Sequence, residues 1–239
     1  MISAAFNALI YEPLYNGLVF LVGILPSHDV GIAVIALTLI VRVVLYPLSK
    51  RAVETQKKMR EIAPEIEKLK EKYKNNREEQ GRAILALYRE RGVRPLASFG
   101  LILVQLPILI GLYWVFAWGG LPEVDPVTLY SFVGVPAVID MTFLGLIPMD
   151  GHSVVLALLA GASQFFYTRL SMGPRQKVAQ AQEKSFSADM TRSFDLQMRY
   201  FLPIMIAGIS YYVVAAAPLY WAVSNLFMIG QEYWMGRRF

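Results

Sequence analysis

Arg42 stands inside an apolar run, in the stretch TLIVRVVLYPLSKR from Thr38 to Arg51, well before that run turns polar at Ser49. A guanidinium is a fixed cation with five N–H donors and no acceptor, suited to holding an anionic or polar group. Thr38 lies four residues earlier and shares its helix face. Other apolar runs carry Gln105 in LVQLPILIGLYW, Ser163 and Gln164 in GASQFFY, and Ser224 and Asn225 in YWAVSNLF. Each alone reads as a group bonding one membrane helix to another. Their recurrence in several runs beside Arg42 points to a shared polar groove. Tyr113, Trp114, Tyr220 and Trp221 read most simply as interfacial or packing aromatics.

An arginine at the centre of a bilayer costs about 2.5–3.5 kcal/mol on insertion scales. Counted to Ser49, Arg42 is about seven residues, roughly 10 Å, from the inner end of its helix. Two readings stand. The side chain snorkels to the inner headgroups, or it faces a wet cavity without a fixed counter-ion and favours a mobile anionic partner. Glu232, near the inner end of the last apolar run, is the one acidic candidate for a pair.

No catalytic constellation accompanies these residues. Cysteine is absent, and the two histidines, His28 and His152, sit in loop-like contexts. No nucleotide loop, hydrolytic triad or zinc-ligand spacing is present. The chain reads as a non-enzyme with no metal and no cofactor, whose work draws on binding energy, membrane potential or a partner.

The elements that must position these groups are apolar helices. Of 239 residues, 56% are hydrophobic and 17% charged, against about 25% charged in soluble domains. Five runs are long enough to span a bilayer: 30–48, 98–118, 153–170 and, within 200–236, a pair divided near Pro218. The charges orient them. Segments 1–29 and 119–152 hold no Lys or Arg, whereas 49–97 carries 14 basic and 8 acidic residues. Segment 171–199 adds Arg175, Lys177, Lys184, Arg192 and Arg199, and 237–239 is short and basic. By the positive-inside rule, 49–97, 171–199 and the C-terminus are cytoplasmic, and 1–29 and 119–152 external. The fold class is an all-α polytopic membrane protein. The start lacks the charged leader of a secretory signal peptide and is read as mature. Glu12 and Pro13 interrupt Phe6–Leu25, leaving about 18 Å of helix after the proline. That favours an amphipathic helix on the outer surface within 1–29 over a sixth span. Segment 119–152, broken by Pro126, Pro136, Asp140 and Pro148, is expected to pack at the outer interface without crossing.

Segment 49–97 reads as a helical hairpin. Ile62, Ile66, Leu69 and Tyr73 form one stripe, Lys74–Glu78 the turn, and AILALYRERG a second helix ending at Gly92. Pro64 kinks the first arm or starts its main helix. The outward faces carry Lys57, Lys58, Arg60, Lys68, Lys70, Lys72, Arg77 and Arg82. A solvated, topology-setting hairpin and a surface for anionic lipid or RNA fit this composition equally.

IALTLIVRVVLYPLSKRAVETQKKMREIAPEIEKLKEKY resembles the YidC/Oxa/Alb family of membrane-protein insertases at its most distinctive place. That place is the first core span with its Arg and Tyr-Pro-Leu exit, followed by a charged hairpin. The likeness continues through ILALYRERGVRPLASFGLILVQLPILIGLYW, LAGASQFFYTRLS and MRYFLPIMIAGISYYVVAAAPLYWAVSNLFMIGQEYW, from about Tyr11 onward. The resemblance implies a five-span core in the bacterial inner membrane, with a hydrophilic groove open to the cytoplasm. It implies that Arg42, Thr38 and Gln105 line the groove, that Trp221 contacts clients, and that Gln164 and Asn225 are neighbours. Nascent membrane proteins are the implied clients, and the ribosome, signal-recognition machinery, Sec translocon and lipids the further partners; DNA is not among them. The large external domain, lipoprotein cysteine and long basic tail of some members are missing, so ribosome attachment is expected to use the hairpin and the 171–199 loop, or to be weak. The rival reading is a small-solute or ion transporter using the same groove. Internal repeats and intramembrane proton-relay acids, which transporters often show, are not evident. A third reading is a chaperone that assembles membrane proteins without translocating any segment.

Overall fold

The computed structural model describes residues 2–93, 97–117, 121–173, 193 and 195–236. Arg175, Lys177, Lys184, Arg192 and residues 237–239 lie outside the described residues. The chain divides into two compact units, residues 1–43 with 107–239, and residues 44–106.

In the first unit, α1 (Ile2–Phe6), a π-helical turn (Asn7–Tyr11) and α2 (Glu12–Ile24) follow one another without a break. Pro13 therefore does not end the helix. It occupies the first turn of α2, where its missing N–H is tolerated beside the wider π turn. Residues 4–24 are long and apolar enough to cross a membrane, as is α8 (Val154–Met172). Leu14, Tyr15, Leu18, Val19 and Val22 are buried, and a Cβ at Gly17 would meet Leu37 at 3.1 Å.

Helix α3 (Val30–Val44) starts at an acidic cap: Asp29 Oδ1 accepts from Ile32 N at 3.0 Å. It was expected to run to residue 48 but stops at Val44, and a new helix, α4, starts at Tyr46. Pro47 is the reason, since it lacks an N–H and disfavours helical backbone before it. At 15 residues, α3 is about 22 Å long, short of a ~30 Å hydrocarbon core.

Segment 119–152 contains no helix among its described residues. It forms a two-residue antiparallel pair, β1 (Thr142–Phe143) with β2 (Ile147–Pro148), and is held by specific bonds. Asn16 donates to Thr128 O at 3.0 Å and accepts from Tyr130 N at 2.6 Å. Asp29 Oδ2 accepts from Leu144 N at 2.8 Å, and Val30 N donates to Asp140 O at 2.9 Å.

Helix α8 packs against both α9 (Leu202–Tyr212) and α10 (Ala216–Trp234). A second π turn, Gln197–Phe201, leads into α9. The reversal between α9 and α10 falls at Val213–Ala215, and Pro218 lies inside the first turn of α10. Gly161 lets α8 and α9 approach, since a Cβ there would sit 2.7 Å from Ala207 Cβ. Buried Arg199 donates to Gly173 O at 2.7 Å and to Asp195 Oδ1 at 2.7 Å, closing the last turn of α8.

The second unit holds the hairpin: α4 (Tyr46–Glu61), α5 (Ala63–Lys72) and α6 (Arg77–Glu90), together with the first half of α7 (Ala97–Ala117). Pro64 starts α5, which settles its role. Asn76 caps α6 by accepting from Glu79 N at 3.2 Å. Ile62, Ile66, Leu87 and Val93 form the core, with Leu69 packed against it; Tyr73 of the expected stripe is only half-buried.

Candidate functional site

The break at Leu45 moves Arg42 into the last turn of α3, two residues from the helix end. There the free carbonyls and the negative end of the helix dipole favour a cation by about 0.3–1 kcal/mol. Arg42 is only 6% exposed. Among the described residues it makes no ion pair, Glu232 included, and its Nε has no hydrogen-bond partner. The ionisable groups nearest its guanidinium are the phenols of Tyr220 on α10 and Tyr167 on α8. Thr38, one turn earlier, is buried and donates to Val34 O at 2.6 Å. Thr38, Val41 and Tyr220 border one small void, closed by Leu14, Leu37, Ile108 and Leu112.

A buried amide cluster joins α8 to α10. Gln164 Oε1 accepts from Asn225 Nδ2 and from Trp221 Nε1, each at 3.1 Å. Gln164 Nε2 donates to Thr168 Oγ1 at 3.0 Å, and Asn225 also donates to Ser163 Oγ at 3.1 Å. Ser224 is buried without a partner for its Oγ among the described residues. The first unit thus presents Thr38 and Arg42 from α3, Ser163, Gln164, Tyr167 and Thr168 from α8, and Tyr220, Trp221, Ser224 and Asn225 from α10. Gln105, expected beside these residues, belongs to the second unit. Tyr167 and Thr168 escaped the sequence reading, although their i+4 spacing from Ser163 and Gln164 carries the signal.

One cation, no acid and several neutral donors and acceptors can stabilise a polar or anionic guest without binding it covalently. Such a set has no nucleophile paired with a base, and no group of His, Asp and Glu able to hold a metal occurs among the described residues.

The sequence pattern of the 60Kd inner membrane protein family matches residues 22–239. The chain belongs to this family. Among its relatives is a protein named membrane protein insertase YidC from Clostridium tetani, 32% identical over 206 residues, covering 86% of this chain and 81% of the relative. One of the same name from Fusobacterium nucleatum is 32% identical over 232 residues, covering 96% and 98%. One from Lawsonia intracellularis is 30% identical over 97% of this chain but only 39% of the relative. The chain thus spans nearly all of some insertase relatives and well under half of others. The family is one of membrane insertases rather than catalysts.

The basic residues expected on the hairpin fall on three helices of the second unit. Lys57 and Lys58 on α4, Lys68 and Lys72 on α5, and Arg77 and Arg82 on α6 are exposed; Arg60 and Lys70 are half-buried. Lys70 pairs with Glu67 and Arg82 with Glu78, each at 2.7 Å. Exposed pairs of this kind contribute about 0.3–0.5 kcal/mol. Lys57, Lys58, Lys68 and Arg77 make no ion pair among the described residues.

Proposed function

We propose that the protein inserts other membrane proteins into the bilayer by giving a client's short hydrophilic flank a polar foothold at Arg42. The observation that carries this reading is a buried cation without a counter-ion among the described residues, with the phenols of Tyr167 on α8 and Tyr220 on α10 nearest to it. A flank entering from the cytoplasm exchanges water for Arg42, and its desolvation cost falls. The client's apolar helix moves into lipid, and hydrophobic transfer drives the step. The membrane potential adds about 2.3 kcal/mol per negative charge per 100 mV as the flank crosses outward.

In this reading the core has five spans, and the helix containing α2 lies along the outer surface. The bonds from Asn16, in the middle of that helix, to Thr128 and Tyr130 support the surface placement. A vertical span would keep its middle far from an external loop. The N-terminus is then external, the C-terminus cytoplasmic, and the unpaired lysines of α4 and α5 face the ribosome, targeting machinery, Sec translocon or anionic lipid. The solute-transporter alternative gains nothing from the relatives, all named as insertases.

The test is insertion of a short single-span client with an acidic flank into liposomes holding only this protein, scored by protease protection. Wild type inserts, Arg42→Ala fails and Arg42→Lys retains much of the activity. Equal insertion by all three would reduce Arg42 to a structural residue. Failure of correctly oriented wild type would overturn autonomous insertion.

A further inference from the structure

Residues 141–149, MTFLGLIPM, form an uncharged run between Asp140 and Asp150. Its centre is the hairpin tip Leu144-Gly145-Leu146, between β1 and β2. Leu144 and Leu146 are 62% and 80% exposed, in a segment that the charge pattern places on the external side. Leu144 also has φ +51°, a left-handed conformation that suits glycine or asparagine and strains a leucine. A leucine held there against its backbone preference, with its side chain outward, calls for a use of that side chain.

The tip is held rigidly from beneath. Leu144 N donates to Asp29 Oδ2 and Thr142 N to Asp140 Oδ1, each at 2.8 Å. Phe143 packs so tightly on Gly31 that no Cβ fits there. Two markers fix its depth. Asp29 caps the outer end of α3, where the apolar helix begins. At the other side, Ala216 N donates to Met149 O at 3.2 Å and Ala215 N to Gly151 O at 2.7 Å. Those bonds tie the base of the hairpin to the end of α9, where exposed Tyr211 and Tyr212 have the character of an interfacial aromatic belt. Two strand residues separate tip from base, so the leucines stand within about 7–10 Å of that base. Beyond the hairpin, Val154, Val155, Leu158 and Leu159 on the outer turns of α8 are exposed and apolar, as a lipid-facing surface requires.

We infer that Leu144 and Leu146 are a lipid-inserting wedge that anchors the external segment in the outer leaflet beside α3 and α9. The occupant is bilayer lipid: a charge-free tip at headgroup depth gains by entering acyl chains and would lose by facing water. The wedge holds the outer face at a fixed height while the cytoplasmic side handles the client. This inference rests on the external placement of 119–152 in the proposed function.

The test uses the full chain, which has no native cysteine, in phosphatidylethanolamine–phosphatidylglycerol liposomes. A nitroxide is attached at Leu146→Cys or, as an aqueous reference, at Glu123→Cys. Collision with oxygen is compared with collision with a water-soluble nickel chelate. The Leu146 label is expected to favour oxygen and the Glu123 label nickel, with ratios differing at least several-fold. Equal nickel access at both sites overturns the wedge, and shielding of Leu146 from both colliders replaces lipid with a protein occupant. Leu144→Asn relieves the backbone. It should leave the melting temperature in detergent unchanged or higher, yet move the Leu146 label towards nickel by at least twofold. A lowered melting temperature would make Leu144 a packing residue and overturn the proposal. A membrane-impermeant thiol reagent at Glu123→Cys separates the two failures: reaction only from the inner side overturns the external placement itself.

Discussion

Asn225 on α10 donates its side-chain amide to Gln164 Oε1 on α8 at 3.1 Å, and the same oxygen accepts from Trp221. One acceptor thus aligns the residues expected to meet a client with the helix that backs them. Gln164→Leu removes the acceptor of half-buried Trp221 Nε1 and one of the two bonds from Asn225 Nδ2, which keeps Ser163 Oγ, a loss of about 1–3 kcal/mol. Membrane hydrogen bonds often contribute less, on average about 0.6 kcal/mol each, so the expected destabilisation is about 1–2 kcal/mol. Chemical unfolding in micelles measures it. Stability within experimental error of wild type would mean that water or lipid takes over both donors.

The charge of the client should interact with the charge of Arg42. Neutralising the acidic flank should weaken insertion by wild type, but change little for Arg42→Ala. The double comparison isolates their coupling, and about tenfold in relative insertion corresponds to 1.4 kcal/mol. Equal flank effects in both proteins would remove the direct contact.

Gly161 and Gly208 form a matched pair. Gly161→Ala places a methyl against Ala207 and Pro203 O, and overpacking of this kind costs about 1–3 kcal/mol. At Gly208, on α9, a Cβ meets nothing within 4 Å. Gly208→Ala should be neutral or mildly stabilising, by up to about 1 kcal/mol from helix propensity. Thermal melts of the two variants in detergent decide whether the α8–α9 approach is as close as described.

Asn16→Ala removes the side-chain bonds to Thr128 and Tyr130. Loss of about 1–3 kcal/mol of local stability would speed exchange of the Tyr130 amide roughly tenfold or more. Hydrogen exchange by mass spectrometry reads this directly, and unchanged protection of that peptide would show the loop to be held elsewhere.

Asp125 supplies a pH-dependent element in the same loop. Hydrogen bonds from Thr128 Oγ1 at 2.7 Å and Val127 N at 3.0 Å hold its carboxyl below the usual 3.8. A depressed carboxylate pKa stabilises the fold above the unfolded value, and that contribution is lost as pH falls through the folded value. The turn should therefore be intact at neutral pH and loosen below about pH 4. Thr128→Val should move the carboxyl pKa up towards 3.8, as followed by carboxyl NMR; no movement would assign the shift to the backbone bond alone.

The helices were legible because apolar length is a local property, and so was the face that Thr38 shares with Arg42, because i+4 spacing is local too. The hairpin was legible for the same reason: Ile62 and Ile66 fall on one stripe, and Asn76 is a good cap. The depth of Arg42 was misjudged because Pro47 acts on the backbone before it, ending α3 at Val44. Pro13 misled in the opposite sense, since the adjoining π turn accommodates what looked like a break. Asn16 and Asp29 were unreadable as loop anchors, because their partners lie more than a hundred residues away in a segment without periodicity. The acceptor shared by Asn225 and Trp221 depends on helix rotation, which composition does not encode.

The bonds that tie segment 119–152 to the α9–α10 reversal run from main chain to main chain, Ala216 to Met149 and Ala215 to Gly151. The cluster around Gln164 is built of side chains. Ordinary substitution cannot delete a main-chain bond unless it brings in proline, whereas a single codon change can rewrite an amide cluster. Side-chain replacement can therefore rewire the contact between α8 and α10 while the seam at their loop ends keeps its register, because the amides and carbonyls that make it belong to every sequence alike.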